Sequence, residues 1–307
     1  MADQPIKTLK QHIDWFLQPK IGLHYHYQPK SMFIPRRYYK AKKIRHNLLR
    51  ISIVTPSYNQ GPFLEKTIAS ILSQNYPDLE YIIQDGGSTD ESVKIIQHHQ
   101  ASLKHWESKK DQGQSQAINL GFRHATGDIM AYLNSDDLLL PGALNYIAHY
   151  FNQHPDIDVV YGHRILINEL DQEIGRWILP PHDSEVLTWE DYVPQETLFW
   201  RRQIWDKAGG RIDDSFKFAM DWDLLLRFKD AGARFARLPR FLGAFRIHPQ
   251  QKNSVEMATV GSQEIERLRL RSHGYPVTLQ EVKQKTRGYR MQHVICDKLY
   301  QIGIFRY

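Results

Sequence analysis

The chain has 307 residues, 41% of them hydrophobic and 24% charged, which is ordinary for a soluble globular protein. Its net charge of +6 is unevenly placed: residues 1–50 carry +9 and residues 249–307 carry +5, so the stretch between them carries −8. An acidic middle argues against a nucleic-acid reader, whose basic patch should lie on the folded body. The single cysteine, Cys296, excludes an internal disulfide and a cysteine-based metal cage.

The expected location follows from what the sequence lacks. No apolar run approaches the length of a membrane span, and residues 1–9 do not contain the apolar core of a signal peptide. One cysteine also favours a reducing compartment. We therefore expect a cytoplasmic protein, whose basic ends either are solvated or make peripheral contact with the anionic inner face of the plasma membrane.

Composition divides the chain into three segments. Residues 1–50 mix aromatic and basic side chains and predict an N-terminal extension that packs on the body or on a partner. Residues 51–250 show regular strand and helix patterns and predict the body. Residues 251–307 read as helices with interleaved charges and predict a basic C-terminal extension.

Strands and helices alternate through the first half of the body. Short apolar runs predict strands over 51–55, 79–83, 103–106 and 129–133. Residues at helical spacing follow the first three of these runs. This alternation predicts an α/β fold with a mainly parallel central sheet and right-handed crossovers.

Each of these strands is followed by polar residues, the most notable being Asp136 and Asp137 after the fourth. The carboxyl ends of parallel strands lie at one edge of a sheet, where open α/β sheets bind ligands. Two adjacent carboxylates repel each other, so a cation or several donors must compensate them, and a divalent ion carrying phosphate is a natural candidate. The alternative is that Asp136 caps a helix beginning near Pro141.

The motifs that usually cradle phosphate, G-x-G-x-x-G and G-x-x-x-x-G-K-[ST], do not follow any of these strands. Instead, the segments contain S-I-V-T-P-S-Y-N at 52–59, Q-D-G-G-S-T-D at 84–90, D-Q-G with A-I-N at 111–119, and G-D at 127–128 leading into N-S-D-D at 134–137. These four pieces, in this order, resemble the GT-A family 2 glycosyltransferases.

The resemblance covers residues 51–248 and implies a nucleotide-diphospho-sugar transferase fold. It makes 51–137 the nucleotide-binding half and 138–250 the acceptor half. Six positions match those that hold the nucleotide sugar in the family: Thr55, Pro56, Tyr58, Asp85, Asp111 and Asp136. Asp85 would bind the base, usually uracil, and Asp136 the ribose or sugar. The alternatives are a turn residue for Asp85 and a solvated loop charge for Asp111.

The resemblance also implies a metal site and a catalytic base. Asp137 would ligate Mn²⁺ or Mg²⁺ on the diphosphate, with His248 completing that site or serving only as a structural histidine. Asp221 matches the general base, with Asp223 in reserve, although Met220 stands where many members have glutamate. Both aspartates could instead be helix N-terminal carboxylates favoured by the macrodipole.

The expected function is an inverting, metal-dependent transfer of sugar from a nucleotide diphosphate, most simply a UDP-sugar, to a hydroxyl of a glycan or lipid-linked acceptor. Bacterial polysaccharide or lipopolysaccharide synthesis is the expected setting. Two alternatives stay open: a sugar-nucleotide nucleotidyltransferase, and a non-catalytic module that binds nucleotide sugars or glycans. The loop at 55–61 contains no Lys or Arg, which disfavours the first of these.

Overall fold

The fold is taken from a computed structural model, which describes residues 21, 26–40, 48–249, 251 and 257–307. Much of the predicted N-terminal extension therefore lies outside the described residues, as does part of the segment just after 250. The described strands are β1 Lys30–Ser31, β2 Ile51–Ser57, β3 Leu79–Asp85, β4 His105–Ser108, β5 Ile129–Tyr132, β6 Leu138–Leu139, β7 Val159–Ile167, β8 Gln172–Trp177, β9 Phe199–Arg201 and β10 Phe235–Arg246.

Nine α-helices lie in the described part of the chain. They are α1 Gly61–Leu72, α2 Ser92–His99, α3 Gln114–Phe122, α4 Ala143–Gln153, α5 Arg202–Lys207, α6 Met220–Asp230, α7 Ser262–His273, α8 Leu279–Lys285 and α9 Arg287–Gln301. The first four strands of the body and the helices between them fall where the sequence predicts them. β4 is displaced by two residues from its predicted position, 103–106.

The ten strands form one mixed sheet, in which β4, β3, β2 and β5 run parallel in that order. Alternate side chains of β2 enter different clusters: Ile53 packs with α1 and α4, whereas Val54 packs with α3. Because both faces of β2 are covered, all seven of its residues are buried. The predicted α/β class, with a central sheet flanked by helices, is confirmed.

The other side of the sheet is less regular than the sequence indicates. β9 lies antiparallel between β5 and β7, and β10 runs parallel to β7 while pairing antiparallel with β6. Register shifts interrupt the β7–β10 ladder beyond Arg237. This long strand carries the chain from the far end of the sheet back to the edge where β2, β3 and β5 end.

Both extensions pack on the body where the structure describes them. β1 pairs with β8, and the Tyr38 side chain is fully buried beside Phe241 of β10. At the other end, Tyr289 of α9 and Leu268 of α7 join the cluster beneath α6. Among the described helices, none combines the length and apolar character needed to cross a bilayer.

Candidate active site

Two adjoining cavities open at the carboxyl edge of the sheet. The large cavity, of about 1000 Å³, is lined by the segments that follow β2, β3, β4 and β5, and includes Tyr58, Gly86, Gly87, Asp111 and Asp136. The small cavity, of about 320 Å³, lies between the end of β5, the strands β7 and β8 and the start of α6, and includes Tyr132, Arg164, Trp177, Asp191 and Asp221. Polar strand ends therefore do converge, as the alternation of strands and helices implies.

The residues after β2 form one wall of the large cavity. Pro56 and Tyr58 line it, and Tyr58 is 62% exposed. Thr55 is fully buried, and its Oγ1 accepts a hydrogen bond of 3.1 Å from the Tyr81 hydroxyl, so it supports this wall from behind. The polar groups here do not include Lys or Arg, in keeping with the sequence.

Asp85 holds the loop that follows β3. Its fully buried carboxylate accepts hydrogen bonds from Gly87 N (3.1 Å), Ser88 N (2.8 Å), Ser88 Oγ (2.6 Å) and Ser108 Oγ (2.6 Å). The loop, rather than Asp85 itself, faces the cavity. The turn chemistry that was the alternative for this residue is thus present, and binding of a base by Asp85 stays a prediction.

Asp111 is a carboxylate that lines the large cavity directly. One oxygen accepts a hydrogen bond of 2.8 Å from Gly113 N. Burial, and then the charge of Asp85, raise the pKa of Asp111. A Cβ on Gly86 would lie 3.0 Å from the Asp111 carboxylate, and Gly87 has a φ of 83°, so the two glycines allow the loop to pass this close to Asp111.

Asp136 and Asp137 face different surroundings. Asp136 lines the large cavity, and its Oδ2 lies 3.0 Å from Nε2 of His248, which is 112 residues away in the chain. Asp137 is 1% exposed; Oδ1 accepts from Arg246 N at 3.0 Å, while Oδ2 is buried without a hydrogen-bond partner. Burial, and then the charge of Asp136, hold the pKa of Asp137 well above its ordinary value.

The helix-cap alternative for Asp136 is wrong. The next helix begins at Ala143, its N-cap residue is Gly142, and no side chain caps it. The buried guanidinium of Arg246 instead holds the turn, since its Nε donates to the Asp136 carbonyl at 2.7 Å and its Nη1 pairs with Asp171.

Asp221 and Asp223 lie in the first turn of α6 but have separate environments. Asp221 lines the small cavity. Asp223 is fully buried and forms ion pairs with Arg227 (2.8 Å) and Arg271 (2.6 Å), so it ties α6 to α7. Of the two aspartates, only Asp221 lines either cavity.

A residue that the sequence analysis missed, Glu264 of α7, fixes the approach to Asp221. Its buried carboxylate accepts hydrogen bonds from the backbone N–H groups of Lys217 (2.7 Å), Phe218 (2.8 Å) and Ala219 (2.9 Å). These donors lie just before α6, where a helix leaves its first N–H groups without partners. The sequence carries no signal for this contact, because Glu264 follows α6 in the chain and belongs to no capping motif.

A line of amides separates the two cavities. Gln114 donates to Asn134 (2.6 Å), and Asn134 donates to Gln195 (3.1 Å). Gln195 in turn donates to the carbonyl of Tyr132 at 2.8 Å. Gln114 and Asn134 line both cavities, so a ligand that extends from one cavity to the other would pass over them.

An α/β sheet with a carboxylate-lined cleft at its carboxyl edge is typical of ligand-binding α/β proteins, and sequence comparison identifies the family. The model of the family "Glycosyl transferase family 2" matches residues 52–211. The chain belongs to glycosyl transferase family 2. The expectations of that family, of a GT-A fold and of a transferase domain are therefore confirmed.

Curated relatives from bacteria match part of the chain. Chondroitin synthase of Escherichia coli is 29% identical over 206 residues, which are 65% of this chain and 30% of that protein. An uncharacterized glycosyltransferase of Nostoc sp. is 35% identical over 52% of this chain and 53% of its own length. The O-antigen biosynthesis protein RfbC of Myxococcus xanthus is 28% identical over 59% of this chain and 14% of its own length. The chain thus spans about half or less of these relatives.

Solved structures share the fold at low sequence identity. Staphylococcus aureus TarS residues 1–349, in complex with UDP-GlcNAc, has a TM-score of 0.60 and 15% identity, covering 83% of this chain and 76% of that one. The mannosyltransferase PcManGT of Pyrobaculum calidifontis, in complex with GDP-Man and Mn²⁺, has a TM-score of 0.55 and 15% identity, covering 95% of this chain and 81% of that one.

Proposed function

We propose that the protein is an inverting glycosyltransferase that moves a sugar from a nucleotide diphosphate, with UDP as the first candidate, to a hydroxyl of a glycan or lipid-linked acceptor. The observation that carries this proposal is the junction of the two cavities, with Asp111 and Asp136 on the large side and Asp221 on the small side. The large cavity has the volume of an ordinary ligand site. The nucleotide sugars in complex with the structural neighbours, UDP-GlcNAc and GDP-Man, support a donor of this class.

A divalent cation, Mn²⁺ or Mg²⁺, fits the large cavity through Asp136 and His248. Asp136 lines the cavity, and its Oδ2 lies 3.0 Å from Nε2 of His248, whose side chain is fully buried. The described residues contain no cluster of three or more His, Cys, Asp or Glu side chains that could hold a metal. A cation here would take two protein ligands and complete its shell with water and substrate phosphate. When bound, such a cation stabilises the negative charge of the departing diphosphate.

This assignment revises the sequence-based one, in which Asp137 was the metal ligand and Asp136 contacted the ribose or sugar. Asp137 accepts a hydrogen bond from the backbone of Arg246 through Oδ1, whereas its Oδ2 has no partner, and neither Asp137 nor His248 lines the large cavity. Asp136 is the one of the three that does line it, and its Oδ2 lies 3.0 Å from His248 Nε2. We therefore assign the cation to Asp136 with His248 beside it, and treat the unpaired Oδ2 of Asp137 as the competing ligand.

In the proposed reaction, Asp221 removes the proton from the acceptor hydroxyl as its oxygen attacks the anomeric carbon. The bond from that carbon to the diphosphate oxygen breaks, and the electron pair leaves with the diphosphate. A single displacement from the opposite side inverts the anomeric centre. Glu264 holds the backbone before Asp221, and the Asn134 amide marks the boundary across which the sugar and the acceptor meet.

The setting we propose is synthesis of a bacterial cell-surface polysaccharide or lipopolysaccharide. Two of the relatives, a chondroitin synthase and an O-antigen biosynthesis protein, support it. We retain the division into extensions at 1–50 and 251–307 around a body at 51–250, whose halves 51–137 and 138–250 hold donor and acceptor. A cytoplasmic location with peripheral contact to an anionic membrane belongs to the same proposal.

Calorimetric titration with UDP, GDP and dTDP, each with and without Mn²⁺, tests this function. One diphosphate should bind, at least tenfold more tightly with Mn²⁺, and its sugar conjugates should be hydrolysed slowly. Product analysis by NMR then gives the anomeric configuration of the first transfer. If none of the three nucleotides bound, the proposed function would be refuted. If one bound equally well with and without Mn²⁺, the proposed role of the cation would be refuted.

A further inference from the structure

The small cavity contains a second carboxylate, Asp191, that the proposed reaction does not use. Asp191 lies on the loop between β8 and β9, and its Oδ1 accepts a hydrogen bond of 3.1 Å from Val193 N. The residue is partly exposed and lines the cavity that it shares with Asp221. Burial, and then the charge of Asp221, hold the pKa of Asp191 well above its ordinary value, so this cavity opposes the charge of its own carboxylate and would oppose a further negative charge on a ligand.

The basic side chain in the wall of the small cavity, Arg164, is already paired. Arg164 donates to both oxygens of the buried Glu196, with an Nε–Oε1 distance of 2.8 Å and a second bond from Nη2. Its guanidinium also lies over the rings of Trp177 (5.1 Å) and Phe245 (4.6 Å). Arg164 is the one basic residue among those lining this cavity, so a ligand carboxylate or phosphate would meet two carboxylates and no uncommitted cation.

Two donors in the same wall have no hydrogen-bond partner. The hydroxyl of Tyr132, whose side chain is 1% exposed, and Nε1 of Trp177 are both buried and unsatisfied. These two atoms are themselves covered, so the ligand is defined by the polar residues that line the cavity: the amides of Gln114, Asn134 and Gln195 and the two carboxylates match a ligand rich in hydroxyl groups. Such a ligand also offers hydroxyl donors to Asp191.

We infer that the small cavity binds an uncharged sugar ring and that Asp191 makes it reject sugars bearing a carboxylate or phosphate. This inference rests on the proposed function and adds to it the charge class of the sugar. The ring could arrive on the donor nucleotide or at the end of the acceptor. Both sources share the same chemistry: several hydroxyl groups on a ring and no negative charge.

Matched pairs of sugars test the inference. Binding of methyl glucoside and methyl glucuronide, and of the corresponding galactose and mannose pairs, is measured by saturation-transfer NMR on the full chain, with and without UDP and Mn²⁺. The donor arm compares UDP-glucose with UDP-glucuronic acid by calorimetry. We expect the neutral member of at least one pair to bind at least tenfold more tightly than its anionic partner. A preference among the methyl glycosides would indicate that the ring belongs to the acceptor, and a preference among the UDP-sugars that it belongs to the donor.

Asp191→Asn should reduce that preference by about tenfold while leaving UDP affinity within twofold of the parent. The exposed Asp206, outside both cavities, supplies a matched control: Asp206→Asn removes the same charge and should leave the preference unchanged. Equal or tighter binding of the anionic sugars overturns the inference, and so does a failure of every sugar to bind. Loss of UDP binding in the parent protein would instead count against the proposed donor, while the methyl glycosides still decide the inference.

Discussion

Glu264 of α7 and Ala219, which precedes α6 by one residue, are joined by a hydrogen bond of 2.9 Å from the Ala219 N–H to Glu264 Oε2. With the bonds from the two preceding residues, it fastens the backbone segment that leads into the helix carrying Asp221. A residue of the C-terminal extension thus sets the position of the proposed base.

Replacing Glu264 with Ala should lower turnover more than donor affinity, because it loosens the segment before α6, and of the three residues that Glu264 holds only Phe218 lines the large cavity. We expect a tenfold or greater fall in kcat, a donor KM within about threefold of the parent, and a loss of about 2 kcal/mol in the free energy of unfolding. Steady-state kinetics and urea denaturation measure both. Glu266→Ala, an exposed position on the same helix, is the control and should change neither quantity.

Replacing Asp221 with Asn should lower transfer by about 10²- to 10⁴-fold, the usual contribution of a general base. Nucleotide binding should stay within twofold, since Asp221 lines the small cavity and not the large one. Single-turnover transfer and UDP calorimetry separate the two effects. Normal turnover in this variant would assign the base elsewhere.

Replacing Asp223 with Asn should affect stability rather than chemistry. Its buried carboxylate pairs with Arg227 and with the partly exposed Arg271, so the loss should be about 2 kcal/mol, below the cost for a fully buried pair. Urea denaturation measures it. A variant that kept its stability but lost transfer would restore Asp223 as a candidate base.

Asp136→Ala and His248→Ala should each abolish the gain in UDP affinity that Mn²⁺ confers, because Asp136 lines the large cavity and its Oδ2 lies 3.0 Å from His248 Nε2. Asp137→Asn should retain that gain, since it preserves the acceptor for Arg246 N. Calorimetry with and without Mn²⁺ tests all three. The reverse pattern would return the metal to Asp137.

The contribution of Asp297 to the stability of the protein should fall as the pH rises from about 4 to 6. Burial raises the pKa of Asp297 to about 6, against an ordinary value near 3.9, so between these values the folded state holds a proton that the unfolded state has lost. The contribution is fully present below pH 4 and absent above pH 6. Asp297→Asn should therefore stabilise the protein at pH 7.5, by up to about 3 kcal/mol, and change little at pH 3.5. Equal effects at both pH values would contradict this.

The nucleotide-binding half was predictable because its information is local. Each strand from β2 to β5 is a short apolar run with polar residues after it, and parallel pairing brings those residues to one edge. The different surroundings of Asp136 and Asp137 were not predictable, because two neighbours in sequence differ only in which way they point. That direction is set by Arg246, which contacts both of them from a strand more than a hundred residues away.

The other half resisted prediction for a related reason. β10 was not predicted, since arginines and Pro239 break its alternation and pairing with β7 and β6 decides its conformation. Glu264, Asp191 and Tyr132 carry no motif. Their importance depends on what they face, and only the tertiary arrangement defines that.

The course of β10 also bears on when the site comes into being. Asp136 is synthesised well before His248, and Glu264 follows later still. A ribosome-bound chain that has released only the first half could fold its local β–α units. It would still lack His248, the partner of Asp136, and Glu264, which fastens the backbone before α6. Competence for transfer should therefore arise late in synthesis, so that an incomplete chain cannot consume activated sugar.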